Sequence, residues 1–96
     1  MGVLEGNAVL VPAHDVHARP FDGELVILDL KSNAYFGLDE IGARIWSEFA
    51  QGFDLETTVL RLSEEFDAPR SEIDADVREL AEKLVEAGLL VVKEGP

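Results

Sequence analysis

With 96 residues, 47% of them hydrophobic, the chain has enough material for one buried core and none for a second domain. Its 20 acids against 8 bases give a net charge of −12, a surface that repels phosphate backbones and anionic lipid and tolerates neutral or basic partners. The absence of cysteine removes disulfides, thiolate metal sites and cysteine nucleophiles together. The start of the chain lacks a basic region followed by an apolar run, and apolar runs of about five residues fall far short of the roughly 20 that span a bilayer. The chain therefore reads as soluble and cytoplasmic.

Residues 1–7 are polar and Gly-rich and are expected to be flexible. Residues 8–12 are apolar, but Pro12 cannot donate to a ladder, which confines them to an edge strand. Val16-His17-Ala18-Arg19 alternates as a half-buried strand does, and Pro20-Phe21-Asp22-Gly23 reads as a turn. The unbroken run Leu25-Val26-Ile27-Leu28 predicts a strand covered on both faces. After a polar connection, the aromatic stretch at residues 33–38 predicts the return strand of a hairpin.

The apolar spacing then changes to the helical period. Ile41, Ile45 and Phe49 form a first stripe, with Asp39 as N-cap and Gly52 as stop. Asp54 caps a second helix, whose stripe is Leu55, Val59, Leu62 and Phe66 and which ends at Ala68-Pro69. Ser71-Glu72-Ile73-Asp74 has the form of a capping box. It opens a third helix with the stripe Ile73, Val77, Leu80 and Leu84, and Gly88 supplies a left-handed C-cap. The apolar run at residues 89–92 either packs on the core or adds a short strand. Strands grouped before helices predict an α+β fold: a three-stranded antiparallel sheet followed by three helices, winged helix-turn-helix-like. One domain is expected over residues 8–92, with flexible ends at 1–7 and 93–96.

Most site chemistry is missing. His14 and His17 are too few for a metal site, and three apart on a strand they face opposite ways. No serine lies in a nucleophile elbow, and no Gly-rich phosphate loop is present. The carboxylate pairs Asp39-Glu40 and Glu64-Glu65 diverge on helical surfaces and do not converge on one point. The chain is therefore expected to be no enzyme and to need no metal or cofactor. Over residues 72–87 the third helix carries six acids and two bases, a net charge of −4, the wrong sign for a recognition helix between phosphates. Strand addition is the remaining chemistry. The strand at residues 33–38 is the last before the helices, and no charge or proline guards residues 34–38. If strand order follows the chain, its outer main-chain groups are open to an extended guest, unless residues 89–92 cover that edge.

The segments Glu24-Leu-Val-Ile-Leu-Asp29 and Asn33-Ala-Tyr-Phe-Gly-Leu-Asp-Glu-Ile-Gly-Ala-Arg-Ile-Trp46, with Asp76-Val77, Leu80, Leu84 and Ala87-Gly88-Leu89-Leu90, resemble PqqD-like domains over residues 14–92. Tyr35-Phe36-Gly37-Leu38 and the Gly42-Ala43-x-x-Trp46 helix resemble the standalone recognition elements of lasso-peptide biosynthesis, one of the RiPP (ribosomally synthesised and modified peptide) pathways. The resemblance implies a non-catalytic protein that captures the leader of a precursor peptide on its third strand and delivers it to a leader peptidase and, further, a cyclase. The acidic surface and acidic third helix lead us to expect no nucleic-acid or membrane partner. On this chain the resemblance places the guest against the backbone of Asn33, Ala34, Tyr35, Phe36 and Gly37. Leu80 and Leu84 become the floor of the adjoining groove, and Asp76 and Lys83 its polar rim. The flank bearing Arg78, Ala81 and Val85 is the rival wall. Members acting in pyrroloquinoline quinone synthesis carry Cys-Asp-Gly after the first helix. Here Gln51-Gly52-Phe53 stands instead, which makes that pathway, or a winged-helix regulator or unrelated interaction module, the alternative.

Overall fold

The computed structural model describes residues 4–93. The elements, in chain order, are β1 (Val9–Pro12), β2 (Val16–Phe21), β3 (Glu24–Asp29), β4 (Ala34–Leu38), α1 (Glu40–Ala50), α2 (Leu55–Glu65), α3 (Arg70–Glu86) and β5 (Leu90–Lys93). Strands β2, β3 and β4 form an antiparallel sheet in that order, and β1 pairs antiparallel with β5 in a second, two-stranded sheet. The expected α+β architecture is present, with a β1–β5 ribbon added.

The local chemistry of each boundary is readable. Asp22 (φ 52°) and Gly23 (φ 83°) both take positive φ, as the tight two-residue turn between β2 and β3 demands. The turn is therefore one step later than the expected Pro20–Gly23 span, and Pro20 is tolerated inside β2 because that strand is an edge. Between β3 and β4, the Asp29 carboxylate accepts from the Lys31 N–H (3.0 Å) and the Ser32 hydroxyl (3.0 Å), closing the connection from within. Asp39 and Asp54 cap α1 and α2, accepting from the N–H of Gly42 (2.8 Å) and Thr57 (2.8 Å).

The start of α3 differs from the sequence reading. Pro69 occupies the N-cap with φ −58°, no side chain caps the helix, and the Pro69 carbonyl accepts from Glu72 and Ile73. The ring pre-sets a helical φ two residues before Ser71, so the helix is already under way there and the serine has no orphan N–H to cap.

The helices and the ribbon bury one core. Leu10, Ile27, Phe49, Leu55, Val77, Ala81 and Leu89 are fully enclosed. The tail resolves its two alternatives by taking both: Leu89 and Leu90 enter the core while β5 pairs with β1, Leu10 opposite Val92 and Pro12 opposite Leu90. On α3 the buried stripe is Ile73, Val77, Ala81 and Leu84, so the register is turned from the predicted one, and Leu80 lies at the edge of the core.

Residues 4–7, expected to be flexible, are held. Leu4 packs on the core, the Gly6 carbonyl accepts from the Glu56 N–H (2.8 Å), and the Leu4 carbonyl accepts from Arg78. Of the expected flexible end at 93–96, Lys93 is instead held in β5 opposite Val9, and residues 1–3 and 94–96 lie outside the described residues. The expected double cover of β3 also fails. Ile27 is buried, but Leu28 is 37% exposed, because helices cover only one face of this sheet.

Candidate functional site

The register of the sheet decides which main-chain groups of β4 are open. In β3, the Leu30 N–H just past the strand donates to the Asp15 carbonyl (2.9 Å). Antiparallel ladders alternate bonded and non-bonded pairs, so Glu24, Val26 and Leu28 also direct their N–H and C=O groups to β2. Leu25, Ile27 and Asp29 must then direct theirs to β4. The Asn33 N–H, which donates to the Asp29 carbonyl (2.8 Å), agrees with that assignment. The cross-strand partners are Leu25–Leu38, Ile27–Phe36 and Asp29–Ala34, so Ala34, Phe36 and Leu38 bond inward. The N–H and C=O groups of Tyr35 and Gly37 point out of the sheet. Among the described residues no strand pairs with that side of β4, and β5 is engaged with β1 instead.

The side chains alternate in the other direction. Ile27 is buried, and its partner Phe36 shares its face. Phe36 and Leu38 therefore point towards the helices and Tyr35 towards solvent, where it is 72% exposed. Beside the open edge runs a groove between β4 and α3, in two adjoining sections. The first, of about 480 Å³, is lined by Gly37, Leu38, Asp39, Ile41 and Gly42 on one side and Asp76, Glu79, Leu80 and Lys83 on the other, with Glu24 at its mouth. The second, of about 500 Å³, shares Gly37, Leu38, Leu80 and Lys83, and adds Phe36, Leu84, Glu86 and Ala87.

The structure thus brings Phe36, Gly37, Asp76, Leu80, Lys83 and Leu84 to one groove. Leu84 is a core residue whose edge reaches the groove wall, 2% exposed. Asn33, Ala34 and Tyr35 stand along the edge but do not line the groove. The rival flank of α3 is covered: Ala81 is fully buried, Val85 packs on the core, and Arg78 binds Asp74 (3.2 Å) and the Leu4 carbonyl.

Sequence reading missed Glu24, Asp39, Ile41, Gly42 and Glu79. Ile41 was assigned to the α1 core stripe, yet it is 42% exposed. The available signal was that α1 begins two residues after β4, which forces its first turn to flank whatever lies on that strand. Gly42 keeps the junction tight, since a Cβ there would stand 3.2 Å from the Leu38 Cβ.

Among the described residues no cluster of metal-ligating side chains occurs, and His14 rests against Asp15 (3.4 Å). No helix among them is long and apolar enough to cross a membrane.

The family model described as Coenzyme PQQ synthesis protein D (PqqD) matches residues 24–90, the stretch from β3 to the first residue of β5. The chain belongs to the PqqD family. None of the curated proteins compared matches this PqqD-family chain. Two solved structures do. TbiB1 in complex with the TbiA(beta) leader peptide is 30% identical, with a TM-score of 0.80 over 88% of this chain and 99% of that one. Lasso peptide synthetase B1 complexed with the leader peptide is 23% identical, with a TM-score of 0.82 over 88% and 99%, a likeness of fold alone. The groove described above thus lies in a PqqD-family fold, and the first of these similar structures is a complex with a leader peptide.

Proposed function

We propose that this PqqD-family chain is a non-catalytic recognition element that captures the leader of a ribosomally made precursor peptide and presents it to a lasso-type leader peptidase and cyclase. The observation that carries the reading is the unpaired outer edge of β4 beside the α3 groove, with the C-terminal strand occupied elsewhere. An extended leader adds a strand by bonding to the N–H and C=O groups of Tyr35 and Gly37, while alternate side chains enter the groove beside Phe36, Leu80 and Leu84. Asp76 and Lys83 form its polar rim. The 30% identity to a leader-bound relative across nearly the whole chain supports the same reading.

Quinone-cofactor synthesis is the second reading, favoured by the family description. Both readings use the same edge and differ in the leader that fits it. Titrating ¹⁵N-labelled protein with synthetic leaders of each kind, encoded beside the chain's own gene, tests them. Saturable shifts centred on the Tyr35 and Gly37 amides are expected. A leader that binds with those amides unmoved sinks the strand-addition reading.

A further inference from the structure

The two ends of the groove differ in charge. The end formed by the β4–α1 junction and the middle of α3 carries Glu24, Asp39, Asp76 and Glu79 against the single cation Lys83. The other end has Lys83 and Glu86, one of each sign, and is otherwise built from Phe36, Gly37, Leu38, Leu80, Leu84 and Ala87. Elsewhere on the molecule Glu48, Glu56, Glu65 and Asp74 each face an arginine, while other carboxylates stand in solvent one by one. The four at the groove have no such partner among the described residues. Asp39 is engaged only as the helix cap. A net negative potential, opposed by Lys83 alone among the lining residues, thus lies directly beside an open row of backbone donors and acceptors.

Resting on the leader-binding reading, we infer that the groove selects and registers its guest by charge: the bound segment carries an apolar side chain and, on the same face, a lysine or arginine about four positions away. The spacing follows from the walls. The pair Asp76 and Glu79 lies eight residues along α3 from the pair Leu84 and Ala87, about 12 Å at the helical rise. An extended guest covers that distance in between three and four residues. Only even spacings place two side chains on one face, so the separation is about four. Lys83, between the two ends, repels a cation from the apolar end and removes the degeneracy a uniformly acidic groove would leave. A strand paired only through its backbone has little to fix its register; the charge step supplies what the main chain lacks.

Display selection of random ten-residue peptides against the full-length protein tests this. Enriched peptides are expected to hold a lysine or arginine about four positions from an aliphatic or aromatic residue. Replacing that cation by glutamine in one enriched peptide should weaken binding about fivefold at low salt, the effect of one or two partly exposed ion pairs. The difference should shrink in concentrated salt. The Asp76→Asn, Glu79→Gln protein, confirmed folded by circular dichroism, should bind the two peptides alike. Enriched peptides indifferent to charge, or a double variant that keeps the preference, overturn the inference while leaving strand addition standing. If nothing is enriched, or the enriched peptides bind a folded Tyr35→Pro protein unchanged, the leader-binding reading fails and takes this inference with it.

Discussion

Phe36 stands opposite Ile27 across the β3–β4 ladder, and the parity of that pairing turns the main chain of its neighbour Tyr35 outwards. The proline test follows from this. Phe36 is the centre of the β4 strand, but its N–H faces into the sheet opposite Ile27, so a proline there does not test the open edge. It would instead remove a bond inside the sheet and leave the Ile27 carbonyl without its partner, at about 1–3 kcal/mol. Tyr35→Pro removes a donor that faces only solvent. Thermal melts should show Phe36→Pro clearly destabilised and Tyr35→Pro near the parent, with leader affinity lost in the second. A Tyr35→Pro protein that unfolds would show the parity assignment to be inverted.

Leu80 and Leu84 are separable by stability. Leu84 is 2% exposed within the core, and Leu84→Ala should cost about 2–5 kcal/mol. Leu80 only packs against the core's margin, so Leu80→Ala should cost about 1 kcal/mol while weakening leader binding. Equal losses of stability in urea titrations would return Leu80 to the core.

Thr58 is fully buried on α2, and its hydroxyl oxygen lacks a hydrogen-bond partner. Thr58→Val keeps the shape and removes the unsatisfied group, so it should be neutral or stabilising by up to about 1 kcal/mol. In a domain of this size that corresponds to a rise in Tm of about 4–8 °C. A fall in Tm would mean that the hydroxyl has a partner.

The Arg44 guanidinium holds Glu65 through hydrogen bonds at 2.6 and 3.0 Å. That bond, ahead of simple Coulomb attraction, keeps the Glu65 carboxyl below its ordinary value of 4.5. The unfolded chain therefore binds this proton at a higher pH than the folded one. The stabilisation is present above about pH 4.5 and is lost as pH falls through the lowered folded value. Glu65→Gln should reduce the loss of Tm between about pH 6 and pH 3. An acid limb as steep as the parent's would show that the pair contributes nothing, as half-exposed pairs often do.

Much of the fold is local and was readable. Asp39 and Asp54 cap their helices because a short carboxylate before an apolar period satisfies orphan N–H groups wherever it occurs. The period of α1 and α2 also follows from adjacent residues. By contrast β2, expected to be half-buried by its alternation, is exposed at every position except Val16, because as an edge strand it lies beyond the helices' reach. Other local signals misled, two of them instructively. The capping-box pattern at Ser71 lost to Pro69, which started the helix earlier. The aliphatic run of β3 looked like a strand covered on both faces, yet only the Ile27 side meets the helices.

The sequence by itself determined an acidic α+β fold with aspartate caps on its first two helices, no cysteine, and an unguarded aromatic strand before the first helix. Each of those follows from residues close together in the chain. Tertiary structure alone decided that β5 lies on β1 and leaves β4 open, that Tyr35 and Gly37 rather than Phe36 present the outward main chain, and that Glu24, Asp39, Asp76 and Glu79 gather at one end of the groove. Those outcomes depend on which strand finds which, and on a rotation of α3 by a fraction of a turn. Pairing energies of that kind are set by competition between distant segments for the same core, and no local spacing reports who wins.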